Sequence, residues 1–199
     1  WDTKVWSMKD VQIDTQNQID QLALRFAVYH LTVMSPVHDN RMNIGAKGLS
    51  GMGYRGHSFW DTEIYMLPYF IFTDPKGARS LLEHRYHGLE SAHKKAQENG
   101  YCGAMYPWES AWTDDGEVTP SWARTGLLEH HITADVAFGV YNYYEVTADE
   151  DFMNRYGYEI VFDTAKYWQS RVTYNEQKGQ YEIRNVIGPD EYTEDCDNN

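Results

Sequence analysis

The stretch QIDQLALRFAVYHLTVM, Gln18 to Met34, returns its apolar residues at helical intervals. Ile19, Leu22, Phe26 and Tyr29 stand three or four positions apart, and Leu24, Val28 and Leu31 widen the stripe. Residues so spaced share one face of a helix, and that face is expected to seek cover. Pro36 lies just beyond, where such a helix should stop. The same reading extends outward along the chain. A second helix is expected from Phe59 to Phe72, kinked or broken at Pro68 and closed by Asp74-Pro75. Lys76 to Glu98 predicts one long amphipathic helix, ended by Asn99-Gly100. Leu127 to Val146 and Glu150 to Tyr174 predict two more. Asn175 to Ile187 reads as a short hairpin, turning at Lys178-Gly179 into the alternating strand QYEIRNV. The pattern is all-α, interrupted at intervals by long loops.

A chain of 199 residues fits one domain, or one and a half. With 42% apolar residues and only 6 prolines, it has the material for a core. Aromatic residues reach 15%, with 16 Tyr and 7 Trp, which suits sugar clefts and interfaces as well as a large core. A net charge of -13 argues against nucleic acid as a partner, because phosphates require a basic patch. Anionic membrane surfaces are disfavoured for the same reason. No apolar run approaches the roughly 18 residues of a membrane span, and no signal-like start is present, so a cytoplasmic protein is expected. Cys102 and Cys196 are far apart and lack metal-type spacing, and are read as two isolated buried thiols rather than a disulfide.

Three loops carry the chemistry. Asn43 to His57, NIGAKGLSGMGYRGH, holds five glycines in fifteen residues, too many for a regular element. Tyr101 to Thr125 follows the long helix. The chain closes on VIGPDEYTEDCDNN, Val186 to Asn199, with five carboxylates within eight positions. Loops of this length in a compact domain are usually functional, so a shared cleft at one end of a helical array is expected. HSFWDTE sets Trp60 beside Asp61, and PWES sets Trp108 beside Glu109. An indole face can stack on the C–H face of a sugar while the neighbouring carboxylate accepts hydroxyl hydrogens. Glu191 follows a Gly-Pro turn among like charges, conditions that raise a carboxyl pKa toward that of a general acid. Each feature also has a plainer reading. Trp60 and Trp108 could be core aromatics, and the acidic run a solvated face. A calcium loop lacks the EF-hand spacing, and the glycine-rich loop has neither G-x-G-x-x-G nor a Walker-type Lys-Ser/Thr. Adjacent His130 and His131 point in different directions on a helix, unlike a metal pair.

Taken together, AKGLSGMGYRGHSFWDTEIYMLPYF, YPWESAW with GEVTP, EHHITADVAF and VIGPDEYTEDCDNN resemble the central catalytic region of glycoside hydrolase family 65. That family includes maltose, trehalose, kojibiose and nigerose phosphorylases, and the likeness runs from about Trp6 to Asn199. The resemblance implies an (α/α)6 barrel with the active site at one end. It also implies an inverting reaction, in which inorganic phosphate attacks the anomeric carbon while one carboxylic acid protonates the leaving oxygen. By the resemblance that acid is Glu191. Trp60 and Asp61 match residues around the transferred sugar, and Trp108 and Glu109 those around the acceptor sugar. Phosphate arrives already ionised, so no protein base is required; a water-using relative would need a second carboxylate about 6.5–9.5 Å away. No cofactor or metal is implied, only a disaccharide and phosphate as reactants.

Met52 stands where family members often carry Glu in GEGYRGH, and Thr193 where GPDEYHE has His. By length, residues 1–199 cover the N-terminal part of the catalytic barrel domain, about half of its helices, with the preceding β-sandwich and second half absent. Phosphate-binding residues are expected outside the chain. A half barrel leaves apolar faces open, so association through that face, as a homodimer or with the omitted segment, is expected, and isolated activity is not. Two rival readings are an α-glucoside hydrolase of the same fold and a non-catalytic carbohydrate-binding half-barrel.

Overall fold

The computed structural model describes residues 1–198. Helix α1 spans Gln18–Met34, the bounds its periodicity predicts, and the Asn17 side chain caps it by accepting from the Ile19 N–H at 3.1 Å. The covered face is not the expected one. Val28 is buried and Leu31 and Met34 pack on the core, whereas Ile19, Leu22 and Phe26 stay 63% to 69% exposed. Periodicity marks a face that wants cover; here only the C-terminal half of α1 reaches the core.

The second predicted helix forms in two parts, a π turn Thr62–Met66 and helix α2, Leu67–Thr73. Pro68 is the cause. It has no N–H for the Ile64 carbonyl, so the chain widens before a regular helix resumes. Asp74 then caps helix α3, Pro75–His87, by accepting from the Gly77 N–H at 3.2 Å.

The long helix expected over 76–98 divides at Gly88 into α3 and α4, Leu89–Glu98. Glycine has little intrinsic preference for the helical state, and Gly88 sits at φ -83°, ψ 1°, outside it. The helix expected over 127–146 also divides, into α5, Thr125–Leu128, and α6, Ile132–Thr147. The Leu128 carbonyl accepts from the Ile187 N–H at 3.1 Å, the bond that a continuous helix would have given to Ile132. The acidic loop is therefore stitched to the point where the helix breaks.

Asp149 caps the next segment through the Phe152 N–H, and a π turn, Met153–Gly157, leads into α7, Tyr158–Arg171. The hairpin is shorter than expected. β1, Thr173–Asn175, pairs antiparallel with β2, Gln180–Glu182, so only QYE of QYEIRNV joins the ladder.

Helix α6 is the hub, packing against α2, α3 and α7. Its Gly139 lets α2 come close: a Cβ there would meet Leu67 Cδ2 at 3.1 Å and Glu63 Cγ at 3.3 Å. Leu67, Phe70, Leu81, Val136, Val140, Phe152 and Ile160 form one continuous core. On the outer side of the same helices Phe138, Tyr141 and Phe162 are each at least half exposed. Both cysteines are free, but neither is buried as expected; Cys102 lies exposed in the turn after α4 and Cys196 is half-buried in the acidic loop. Among the described residues no helix is long and apolar enough to cross a membrane.

Candidate active site

The WDTE turn is set by a buried ion pair. Arg85 on α3 binds both oxygens of Glu63 at 2.7 Å and donates to the Phe59 carbonyl at 2.9 Å, with both side chains almost fully enclosed. Burial alone would lower the Arg85 pKa, yet the facing Glu63 carboxylate more than compensates and holds it raised. This clamp fixes the backbone immediately before Trp60 and Asp61, both of which are half-buried.

The second loop is tied to the first. Ser58 and Ser110 exchange backbone hydrogen bonds of 2.9 and 3.1 Å, and His57 Nδ1 lies 2.7 Å from Glu109 Oε1. The Trp108 ring stands edge-on to Phe59, centroids 5.0 Å apart. Under it lies a carboxylate the sequence reading passed over. Glu117 accepts from the Trp108 N–H at 2.8 Å, the Glu109 N–H at 3.0 Å and the Thr119 hydroxyl at 2.6 Å. The buried Lys95 ammonium completes this hub at 2.5 Å. Desolvation lowers the Lys95 pKa, and Glu117 opposes it.

A third group sits at the break between α5 and α6. Glu129 is fully enclosed, and its Oε2 lies 3.1 Å from His131 Nε2; His131 Nδ1 is 2.7 Å from Asp135 Oδ2, one helical turn on. Burial would depress the imidazole, but hydrogen bonds to Asp135 and Glu129 prevail and raise its pKa to about 9. His131 is therefore an imidazolium at neutral pH, donating to two carboxylates. Desolvation pushes the Glu129 pKa up, while His131 favours its charge. Trp60 stands edge-on to His131, centroids 4.8 Å apart at 84°. The Trp108 indole and the Glu191 carboxylate also act on Glu129, the first favouring its charge and the second opposing it. Trp108 Nε1 and Glu129 Oε1 are buried without a partner among the described residues.

The acidic loop is pinned at both ends. Val186 and Cys196 exchange backbone hydrogen bonds, each of 2.9 Å, and Arg124 binds Glu194 at 2.5 Å and Asp195 at 2.7 Å. Thr193 donates to Asp190 at 3.1 Å rather than to Glu191. Met52, at the other family departure, is almost fully exposed.

The predicted site residues thus separate into two positions. Trp60, Trp108 and the Glu191 loop converge on Glu129 and His131. Glu109 turns instead toward His57, which helps to line a cavity of about 210 Å³ with Arg41, Asn43, Arg55 and Trp112. The described residues do not enclose Glu191, which is exposed. Glu129, His131 and Asp135 were missed because the two histidines were weighed only as a metal pair. The usable signal was one His followed four positions later by Asp. Among the described residues no cluster suited to a metal ion occurs.

Residues 25–199 match the model of the glycosyl hydrolase family 65 central catalytic domain. The chain is 53% identical to a kojibiose phosphorylase from Halothermothrix orenii, over 98% of its own length and 26% of that protein. It is 42% identical to an alpha,alpha-trehalose phosphorylase from Thermoanaerobacter brockii, over 98% of its length and 24% of the relative. A kojibiose hydrolase from Flavobacterium johnsoniae is 46% identical, matched over 96% of the chain and 27% of the relative. The fold superimposes with a TM-score of 0.88 at 30% identity on a solved structure provisionally described as a kojibiose phosphorylase from the human microbiome, covering 98% of this chain and 25% of that one. The chain spans about a quarter of the length of these relatives. Its paired helices are part of an (α/α)6 barrel, and the chain belongs to glycoside hydrolase family 65.

Proposed function

We propose that residues 1–199 are the N-terminal part of the catalytic barrel of an inverting disaccharide phosphorylase. Its reaction is the reversible phosphorolysis of an α-linked glucose disaccharide to β-glucose 1-phosphate and glucose. Kojibiose is the first substrate to assay, ahead of trehalose, maltose and nigerose, given the kojibiose phosphorylase that is 53% identical. The observation that carries this reading is the convergence of Trp60, Trp108 and the Glu191 loop on one buried carboxylate–imidazolium pair. Two indole edges and enclosed polar groups at one point suit a sugar ring better than a metal or a nucleotide.

In this mechanism a phosphate oxygen attacks the anomeric carbon from the face opposite the leaving group. The glycosidic C–O bond breaks, and the Glu191 proton passes to the departing oxygen. Trp60 and Asp61 hold the glucosyl ring, and Trp108 and Glu109 the departing sugar. Phosphate is a co-substrate, so no cofactor enters. Its binding groups are assigned to the remainder of the protein, as is the wall that desolvates Glu191. The exposed row Ile19, Leu22 and Phe26 and the outer residues Phe138, Tyr141 and Phe162 suit a face covered by the rest of the barrel. On this reading the 199-residue chain alone associates through that face and lacks turnover.

Glucose release from kojibiose by the full-length enzyme tests the assignment. Release should depend on phosphate, and the first product formed should be the β-anomer of glucose 1-phosphate. Release independent of phosphate would favour the hydrolase reading, which the 46% identical kojibiose hydrolase keeps in view. Sugar binding without turnover in either condition would favour a carbohydrate-binding module.

A further inference from the structure

We infer that His57 is a positioning residue, whose ring N–H holds the Glu109 carboxylate at the angle at which it receives the departing sugar. The inference rests on the reading of Glu109 above and assigns a role to a histidine outside it.

His57 Nδ1 lies 2.7 Å from Glu109 Oε1. An ionised carboxylate can only accept, so Nδ1 carries the hydrogen and donates it. The bond engages Oε1 and leaves Oε2 for a sugar hydroxyl. Neither side chain is sealed in: that of His57 is 25% exposed and that of Glu109 10%. His57 also lines the cavity of about 210 Å³ shared with Arg41, Arg55 and Trp112. The pair therefore stands at the edge of an open space.

This bond is not needed to join the two loops. Ser58 and Ser110 already exchange backbone hydrogen bonds, and their hydroxyls meet at 3.1 Å. The Glu109 backbone is also fixed independently, its N–H by Glu117 at 3.0 Å and its carbonyl by the Val118 N–H at 3.1 Å. What remains for His57 to set is the direction of the carboxylate, and a charge-assisted bond sets it well. The chain accepts backbone strain to bring the ring there. Tyr54 and Arg55 precede it at φ 56° and 53°, in the left-handed region, and the His57 N–H closes the turn on the Tyr54 carbonyl at 2.8 Å. Side chains of this size rarely adopt that backbone, and such strain gathers at functional sites.

The full-length enzyme tests the inference in the synthetic direction, with β-glucose 1-phosphate as donor and glucose as acceptor. His57→Leu and His57→Asn introduce side chains of nearly equal shape, but only Asn carries an N–H one bond from Cγ, as Nδ1 does. His57→Leu should raise the KM for glucose about tenfold, with kcat and the donor KM within about threefold of wild type. His57→Asn should recover most of that loss. Glu109→Ala should raise the KM for glucose at least as far, and His57→Leu added to it should cost nothing more. KM does not depend on how much of a variant folds. Three results would overturn the inference alone, given an effect of Glu109→Ala: no rise in His57→Leu, a His57→Asn enzyme as impaired as His57→Leu, or losses that multiply in the double variant. A Glu109→Ala enzyme with an unchanged KM for glucose would overturn the reading of Glu109 and this inference together.

Discussion

The two loops that carry the predicted chemistry are held in opposite ways. The Trp108 loop is anchored from beneath by Glu117, whose carboxylate takes two backbone N–H groups, a hydroxyl and the buried Lys95 ammonium. The Glu191 loop is anchored at its ends, by the Val186–Cys196 bridge and the exposed pairs of Arg124 with Glu194 and Asp195. Buried charges with saturated hydrogen bonding fix geometry strongly, whereas exposed pairs fix it weakly. On the proposed reading, recognition is built into the interior of the fold, while Glu191 rides on a more weakly held rim.

Two substitutions should separate these roles most widely. Glu191→Gln in the full-length enzyme should lower kcat by about 10²–10⁴-fold with little change in melting temperature, because the loop is pinned through Val186, Cys196 and Arg124 rather than through the Glu191 side chain. Retention of wild-type phosphorolysis would remove Glu191 from the chemistry. Glu117→Ala should do the reverse. It strands the Lys95 ammonium and frees two backbone donors, costing about 3–5 kcal/mol of stability by thermal or denaturant melting. Lys95→Met together with Glu117→Leu should recover much of that loss, since neither buried charge then lacks a partner.

How much of this was legible in the letters depends on where each residue's partner lies. Helix α1 is correct to its bounds, since Asn17 and Pro36 terminate it locally. Its outward face was not legible, because a stripe states a need for cover without naming what supplies it. The breaks at Gly88 and at Glu129 were missed for different reasons. The first is an intrinsic weakness of glycine, which the sequence does display. The second depends on a carbonyl diverted to Ile187, nearly sixty residues away, and no local pattern contains that. Trp60, Trp108 and Glu191 stood out because indoles and carboxylates adjoin in sequence. Glu117 did not, for Lys95 meets it only in three dimensions, and Glu129 was passed over although its partner His131 lies two positions on.

Titration offers a subtler contrast within the interior. His131 is raised to about 9, so its contribution to stability is complete below its unfolded pKa of about 6.5 and is lost as pH rises through 9. His84 and His130 are lowered by desolvation, to about 4 and about 3. Their contribution is present above about 6.5 and is lost as pH falls through those values. Stability should therefore peak near pH 6.5, and melting temperatures recorded across pH 4 to 10 would reveal it. His131→Asn should flatten the alkaline limb alone. An unchanged alkaline limb in that variant would mean that the imidazolium is not held between Glu129 and Asp135.

The smallest effect expected lies on the rim. Arg124→Ala removes both exposed pairs of the acidic loop but leaves the Val186–Cys196 bridge and the Ile187 to Leu128 bond intact. Melting should not shift measurably, since exposed pairs contribute little and are screened by salt. Turnover is the more sensitive readout, because a small displacement of a proton donor costs rate without costing stability. A fall in kcat of roughly two- to tenfold at low ionic strength, shrinking toward 1 M salt as the wild type loses the same restraint, is the expected result. A fall that persists unchanged at high salt would show that Arg124 acts on the reaction directly, and the weakly held rim would then belong to the recognition apparatus.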